Sequence, residues 1–279
     1  MKLGVMLATR SVAGLDSVLD QARDADFSLC QINFLWSGFT RNDLAAVANQ
    51  MADRDMRPVG LGCYWNPMRP DDAGLMGVNQ DDLHVLLQNL DVIGARRVVM
   101  WSGTHAGTLL EPDDRNSSPE CKAQLRDRLV EIVRGVRARH YYLVIEPWQT
   151  HVLDTEDACT GFYRTLPPDV AEHVRFVLDP PNFITPARYE KRDEAVSRIV
   201  RRMAQIAGVV HLKDCIMPPD GEAALPGPGE GKLNYPAFLN AVHEAIPDDI
   251  PAVIEHVASD SYATAREFVL SLTNFMETV

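Results

Sequence analysis

The sequence lacks the cysteine pattern of a disulfide framework or a thiolate zinc site. Its five cysteines are odd in number and widely separated, and none forms a C-x-x-C pair, so we expect free thiols. No apolar run approaches the roughly 20 residues that a membrane-spanning helix needs. The apolar stretch from Leu3 to Ala8 is followed by Arg10, before the core of a signal peptide would form. These absences predict a cytoplasmic protein without a membrane partner.

Positive charge is also scarce. The chain has 27 Lys and Arg against 39 Asp and Glu, a net charge of -12, and the basic residues are scattered or paired with acids. No positive stripe is available to neutralise phosphates, so we expect no nucleic-acid partner. The G-x-G-x-x-G turn of dinucleotide-binding folds is missing too, since Ala8-Thr9-Arg10-Ser11 follows the first predicted strand.

Short β-rich runs alternate with longer segments of helical period along all 279 residues. The predicted strands are Lys2–Leu7, Ser28–Phe34, Arg57–Trp65, Arg97–Trp101, Tyr141–Ile145, Val174–Leu178, Val209–Leu212 and Ala252–Glu255. The predicted helices are Leu15–Asp26, Asp43–Asp55, Gln80–Ile93, Glu120–Arg139, Tyr189–Ile206, Tyr235–Ala245 and Ala263–Thr278, with a shorter one over Thr155–Leu166. Since no linker divides the chain, we predict one domain spanning residues 1–279.

This alternation allows two folds, an open doubly wound sheet and a closed barrel. Runs such as Leu143-Val144-Ile145 are continuously apolar, as expected for parallel strands buried on both faces. Eight βα units in 279 residues favour the closed form. We therefore predict a (β/α)8 TIM barrel.

Four consecutive strands end in a polar side chain that can bind metal. The four triplets are Val144-Ile145-Glu146, Val177-Leu178-Asp179, Val209-Val210-His211 and Val253-Ile254-Glu255. In a parallel barrel these positions meet at the C-terminal mouth, where three close carboxylates would need a positive partner. The alternative is that each acid caps the following helix, but capping gives no reason for a histidine. The triplets predict a divalent metal site, with Mn²⁺ as the first candidate and Zn²⁺, Co²⁺, Fe²⁺ or Mg²⁺ as alternatives.

Further polar and aromatic residues follow the strands near the same mouth. Lys213 and Asp214 come directly after His211, where they would contact substrate or form a loop salt bridge. Flat side chains that suit sugar rings are Trp65, Trp101, His105 and Trp148, with packing at the rim as the alternative. Asn33, at the end of the second strand, would hydrogen-bond a substrate hydroxyl or satisfy the backbone of a turn. His151 is a candidate general acid or a support for a metal ligand, with ordinary surface placement as the alternative.

Several of these motifs resemble the xylose-isomerase-like TIM-barrel superfamily of sugar phosphate isomerases and epimerases. The motifs are Ile145-Glu146-Pro147, Leu178-Asp179-Pro180-Pro181-Asn182, His211-Leu212-Lys213-Asp214, Gly229-Glu230-Gly231 with Asn234-Tyr235, and Ile254-Glu255-His256. The resemblance spans essentially the whole chain. It implies that the four strand-end residues bind metal and that Glu146 and Glu255 are acid and base. The implied activity is isomerisation or epimerisation of a small keto-sugar or its derivative through an enediolate.

One position departs from the epimerase pattern. Asn182 stands where many epimerase-like members have histidine. The Asp-Pro-x-Asn form, with Glu-Pro-Trp and His151, is similar to a subgroup that includes subunits of C-glycoside deglycosidases acting on 3-oxo sugars. This similarity implies an alternative, a lyase that releases an aglycone, water or carbon dioxide, and it gives Asn182 a substrate-binding role.

Two further classes remain open at this point. An endonuclease-IV-like phosphodiesterase would need more histidine ligands and a basic DNA-binding face, and the charge of -12 disfavours it. A non-catalytic sugar-binding barrel or a structural subunit is the other alternative. The helical outer face is compatible with a homo-oligomer or a partner subunit.

Overall fold

Eight parallel strands close into a barrel in sequence order. The computed structural model describes residues 1–71, 76–136, 140–218, 223–273 and 276. The strands are β1 (Leu3–Thr9), β2 (Leu29–Phe34), β3 (Arg57–Gly62), β4 (Arg97–Trp101), β5 (Tyr142–Glu146), β6 (Val174–Leu178), β7 (Ala207–Leu212) and β8 (Ala252–Ile254). β8 pairs with β1, which closes the sheet. The predicted (β/α)8 barrel is confirmed.

Helices connect the strands and pack against the outside of the barrel. They are α1 (Val12–Asp24), α2 (Arg41–Ala52), α3 (Gln80–Gln88), α4 (Leu90–Ile93), α5 (Pro119–Gly135), α6 (Glu156–Tyr163), α7 (Pro168–Ala171), α8 (Pro186–Tyr189), α9 (Arg192–Met203), α10 (Tyr235–Ala245) and α11 (Tyr262–Ser271). Within the described ranges, none of them is long and apolar enough to cross a bilayer.

Two predicted helices are interrupted. The segment predicted as Gln80–Ile93 breaks at Asn89, whose side-chain amide donates to the carbonyl of Val85 and so competes with the helical backbone. The segment predicted as Tyr189–Ile206 is helical as α9, after a break that separates it from α8. The ends predicted for two other helices, at residues 137–139 and 277–278, lie outside the described residues.

Side-chain caps set where several helices begin, and thereby fix the loops that leave the C-terminal ends of the strands. Thr40 and Asp43 form a capping box at the start of α2, and Asn79 and Asp82 form another at α3. Thr155 caps α6 through the N–H of Ala158. Each such cap stabilises its helix by about 1 kcal/mol and fixes the residue at which the helix begins.

A layer of valines fills the barrel interior directly below the mouth. Its members, one from each of β4 to β8, are Val99, Val144, Val177, Val209 and Val253. Since side chains two positions apart on a strand point to the same face, the residues two positions further along also point inward. For β5 to β8 those residues are Glu146, Asp179, His211 and Glu255. The valine layer is therefore an apolar floor beneath four polar side chains.

Candidate metal centre

The four strand-end residues converge on one point above this floor. Glu146 is the last residue of β5, and His211 is the second-last residue of β7. Asp179 and Glu255 directly follow β6 and β8. All four side chains are buried. The Nδ1 atom of His211 lies 3.4 Å from Glu255 Oε2, 3.7 Å from Glu146 Oε2 and 4.0 Å from Asp179 Oδ2. Three carboxylates thus surround one imidazole nitrogen.

The donor atoms and their spacing fit a metal ion. His211 Nε2 lies 3.1 Å from the side-chain oxygen of Gln31, which can only accept, so Nε2 carries the hydrogen and Nδ1 presents a lone pair. That buried Nδ1 has no hydrogen-bond partner among the described residues. Two atoms that bind the same ion at about 2.1 Å lie at most about 4.2 Å apart, and the three distances to Nδ1 fall within this limit.

The fourth ligand candidate is less tightly grouped than the others. The ligand atoms of Glu146, Asp179 and His211 all lie within 4.8 Å of one another, in a set that does not include Glu255. Glu255 turns one carboxylate oxygen towards His211 and the other towards Lys213. Its Oε2 nevertheless lies 3.4 Å from His211 Nδ1, nearer to that nitrogen than either other carboxylate, so Glu255 belongs to the same cluster.

The ammonium of Lys213 lies inside the carboxylate cluster. Its Nζ is 2.6 Å from Asp179 Oδ2 and 2.6 Å from Glu255 Oε1, and the side chain is only 1% exposed. It also lies 5.6 Å from the centre of the Trp148 ring. This is a buried, doubly paired lysine rather than a salt bridge at a loop entrance. When all three carboxylates are ionised, they and the ammonium leave two negative charges, which a divalent cation would balance.

The two glutamates differ in their affinity for protons. Burial and the charge of Glu255 raise the pKa of Glu146. Burial alone would also raise the pKa of Glu255, but the charge of Lys213 and its hydrogen bond outweigh it and hold that pKa below its usual value. Burial lowers the pKa of His211 to about 4, so this imidazole is neutral at pH 7, as a metal ligand must be. Glu146 therefore takes up a proton more easily than Glu255, which stays ionised to lower pH.

Both oxygens of Glu146 are held by neighbouring side chains. The hydroxyl of Tyr64 donates to Oε2 at 2.8 Å, and the amide of Asn182 donates to Oε1 at 3.3 Å and to the Pro147 carbonyl at 3.2 Å. Gln31 Nε2 in turn donates to the Tyr64 hydroxyl at 3.2 Å. Asn182, predicted to bind substrate, thus orients a predicted metal ligand in this structure.

Sequence reasoning did not find Gln31 or Tyr64. A signal for Gln31 was present, because Gln31 and Asn33 are polar residues two apart within an otherwise apolar strand, the spacing that puts both on the inner face of the barrel. Tyr64 gave no comparable signal. It lies just beyond β3, and its ring packs on Trp101 with the centres 4.7 Å apart.

Three residues predicted to contact substrate are engaged in holding the scaffold. Asn33 Oδ1 accepts a hydrogen bond from Gln31 Nε2. Trp65 is completely buried, and its indole N–H donates to the carbonyl of Pro70. Asp214 Oδ1 accepts two backbone N–H groups of the segment that follows β7. Their contact with a substrate stays a prediction.

The remaining predicted residues lie in or beside an aromatic wall. Trp101 makes edge-to-face contacts with Trp148 and with His151, whose ring centres lie 6.5 Å and 5.3 Å away. Both tryptophans are half-buried, whereas His151 is buried, bonds the Leu109 carbonyl through Nε2 and has its pKa lowered to about 4 by burial. His105 lies partly exposed on the loop after β4. The structure brings Trp101, Trp148 and His151 together, whereas the backbone of His105 is hydrogen-bonded to Asn116 and Arg115.

Comparison with known proteins identifies the family to which this barrel belongs. Residues 19–272 match the family of xylose isomerase-like TIM barrels. The chain belongs to this family. No curated protein sequence matches it.

Solved structures share the fold at low sequence identity. The D-psicose 3-epimerase of Clostridium cellulolyticum H10, solved with D-tagatose, is 11% identical, with a TM-score of 0.70 over 98% of this chain and 99% of that one. The 3-keto-D-glucoside 4-epimerase of E. coli is 14% identical, with a TM-score of 0.68 over 97% and 99%. A family 2 AP endonuclease of Brucella melitensis is 16% identical, with a TM-score of 0.64 over 90% and 92%.

Proposed function

We propose that this protein is a divalent-metal-dependent isomerase or epimerase of a small keto-sugar or a sugar derivative. The observation that carries the proposal is the buried Nδ1 of His211, which has no hydrogen-bond partner in the described part of the chain and faces three carboxylates at the mouth of the barrel. The epimerases among the similar structures act on sugars by their names, which supports the substrate class.

The residues that would hold the metal are Glu146, Asp179, His211 and Glu255. Their mixed nitrogen and oxygen donors suit Mn²⁺ first, with Zn²⁺, Co²⁺, Fe²⁺ or Mg²⁺ as alternatives. When bound, a divalent ion would polarise a substrate carbonyl and acidify the hydrogen on the adjacent carbon.

The two glutamates are suited to moving that hydrogen. Glu255, which stays ionised, would accept the proton, and Glu146, whose pKa is raised, would return one to the substrate. Lys213 lies beside both Asp179 and Glu255, where its ammonium would also bind a substrate oxygen.

The aromatic wall would receive the sugar ring. Half-buried Trp101 and Trp148 present flat faces that suit the apolar side of a sugar. His151 Nδ1, buried and without a partner among the described residues, would accept a hydrogen bond from a substrate hydroxyl. Because its pKa is about 4, His151 would act as a neutral imidazole at pH 7.

Solvent-deuterium exchange tests the proposal directly. A panel of ketoses and 3-oxo sugars is incubated in D2O with Mn²⁺-loaded and metal-stripped protein, and NMR follows deuterium at the carbon next to the carbonyl. We expect exchange and a new epimer or isomer only with metal, and loss of both in Glu146→Gln. Glu131→Gln, a change on the exposed face of α5, is the matched control and should behave as wild type. Exchange that continues without metal, or none across the panel despite bound metal, would contradict the proposal.

The second candidate is a lyase that uses the same centre, and Asn182 favours it. The residue at this position donates an amide hydrogen bond to Glu146, and an amide cannot shuttle a proton at neutral pH. With one proton donor fewer than a histidine at this position would give, the enolate would more readily expel an aglycone or water, whereas loss of carbon dioxide from an oxo-sugar acid would itself form such an enolate. Metal-dependent release of such a fragment in the same panel, without a new epimer, would replace the isomerase proposal with this one.

A further inference from the structure

Gln31 is a completely buried amide that connects two strands of the metal centre. It lies in the middle of β2, and its side chain makes three hydrogen bonds: Oε1 with His211 Nε2 at 3.1 Å, and Nε2 with Tyr64 Oη at 3.2 Å and Asn33 Oδ1 at 3.1 Å. Tyr64 passes the connection on to Glu146. The amide therefore touches one ligand candidate directly and reaches a second through one hydroxyl.

We propose that Gln31 is a positioning residue that fixes the tautomer of His211 and, through Tyr64, the orientation of Glu146. This inference rests on the proposed function, because it takes Nδ1 of His211 and Oε2 of Glu146 as metal-binding atoms. Neither Gln31 nor Tyr64 needs to touch the metal or the substrate for this role.

The direction of each hydrogen bond follows from the groups involved. The amide oxygen of Gln31 can only accept, which requires a hydrogen on His211 Nε2 and leaves the lone pair on Nδ1. The amide nitrogen can only donate, so the Tyr64 oxygen accepts from it and the Tyr64 hydrogen goes to Glu146 Oε2. A group with one acceptor and two donors meets all three demands, and neither a carboxylate nor an apolar side chain does.

Neighbouring glycines leave room for this arrangement. A Cβ at Gly62 would overlap Asn33 Oδ1 and would lie 2.8 Å from Cε2 of Tyr64, both members of the network. A Cβ at Gly60, which pairs with Gln31 across the strands, would make only an ordinary 3.5 Å contact with Gln31 Oε1, so the close approach is at Gly62. The β3 strand is thus free of side chains at the level where the amide of Gln31 lies.

Outer partners of this kind set the basicity and orientation of a ligating imidazole, and losing them typically weakens metal affinity 10- to 100-fold. The test uses Gln31→Met, which keeps the length and removes every polar contact, Gln31→Glu, which keeps an acceptor for His211, and Tyr64→Phe, which cuts only the path to Glu146. Ile32→Val on the same strand is the control for a small change in packing.

Two measurements are made on each variant. The 15N NMR shifts of the His211 ring report the tautomer in metal-free protein at neutral pH, and electron paramagnetic resonance of free Mn²⁺ gives the dissociation constant. We expect the Nε2–H tautomer in wild type, Gln31→Glu, Tyr64→Phe and Ile32→Val, and a mixture in Gln31→Met. We expect Mn²⁺ to bind 10- to 100-fold more weakly to Gln31→Met, several-fold more weakly to Tyr64→Phe, and unchanged to Ile32→Val.

The outcomes separate the two proposals. Wild-type protein that binds neither Mn²⁺ nor another divalent ion removes the proposed function, whatever the tautomer. Wild type that binds Mn²⁺ while Gln31→Met keeps both its tautomer and its affinity overturns the positioning role and leaves the function intact. If Gln31→Met does not fold, the other two variants test the proposal. An unchanged Mn²⁺ dissociation constant in Tyr64→Phe overturns the role of Gln31 in orienting Glu146. Mixed His211 tautomers in Gln31→Glu overturn its role in fixing the tautomer.

Discussion

Replacing Lys213 with methionine tests how much the negative charge of the buried carboxylates depends on the Lys213 ammonium for its compensation. The ammonium makes two contacts of 2.6 Å, with Asp179 and Glu255, and it is almost fully buried. Removing one partner from a buried charge pair typically costs about 3–5 kcal/mol, because the remaining charges are left desolvated and uncompensated. We expect metal-free Lys213→Met to lose free energy of unfolding of about that size.

Added metal should offset part of this loss. With Lys213 absent, the carboxylates present one more uncompensated negative charge to a cation, so Mn²⁺ should stabilise the variant more than it stabilises wild type. An ion at 100 times its dissociation constant adds about 2.7 kcal/mol to the free energy of unfolding. The stability gap between variant and wild type should therefore be smaller in Mn²⁺ than in a chelator.

Urea unfolding followed by circular dichroism, in EDTA and in excess Mn²⁺, measures both quantities. The control is Lys232→Met, an exposed lysine on the loop before α10, which should stay within about 0.5 kcal/mol of wild type in both solutions. A metal-free Lys213→Met variant within about 1 kcal/mol of wild type would refute the charge argument. So would a gap that does not narrow when Mn²⁺ is added.

Two further changes test other parts of the centre. His151 has a folded-state pKa of about 4 against 6.5 for the exposed group, so the unfolded chain binds more protons between these values and wild type loses stability as the pH falls through that window. His151→Gln has no imidazole to protonate and should not lose this stability. In urea titrations, the difference in unfolding free energy between the two proteins should change by about 3 kcal/mol between pH 7 and pH 4. A constant difference would contradict the buried neutral imidazole. Gly62→Ala should lower the free energy of unfolding by about 1–3 kcal/mol and weaken Mn²⁺ binding, because the added methyl group would displace Asn33 and Tyr64. The control is Gly94→Ala, where nothing lies within 4 Å but φ is +72°. It should change stability and leave Mn²⁺ binding intact.

The barrel and the meeting of the four strand-end residues were predictable because both depend on local patterns. A valine two positions before each polar residue marks the inner face, and one βα unit separates each polar residue from the next. The break of a predicted helix at Asn89 was not predicted, because apolar periodicity continues through it and only the side-chain hydrogen bond to Val85 interrupts the backbone.

The supporting network could not be predicted in the same way. Gln31 and His211 are 180 positions apart, and Tyr64 and Glu146 are 82 apart, so the pairs come together only once the barrel has closed. The same limit affected Asn33 and Asp214. Each follows or ends a strand as the sequence indicates, but Asn33 Oδ1 and Asp214 Oδ1 accept hydrogen bonds from neighbours that no spacing rule identifies.

The charges at the centre also restrict the substrate. When all three carboxylates are ionised, they, the ammonium of Lys213 and a divalent cation sum to zero, so the proposed site with its metal has no net positive charge to attract an acid. Substrate oxygens that approach such a site are best neutral, as in the carbonyl and hydroxyl groups of a keto-sugar. A sugar acid would add a buried negative charge near Glu255 and Asp179, a cost that only Lys213 could offset by leaving one of them. By this reasoning, neutral ketoses and 3-oxo sugars should exchange deuterium faster than the matching acids, and among the lyase alternatives loss of water or an aglycone should be favoured over loss of carbon dioxide.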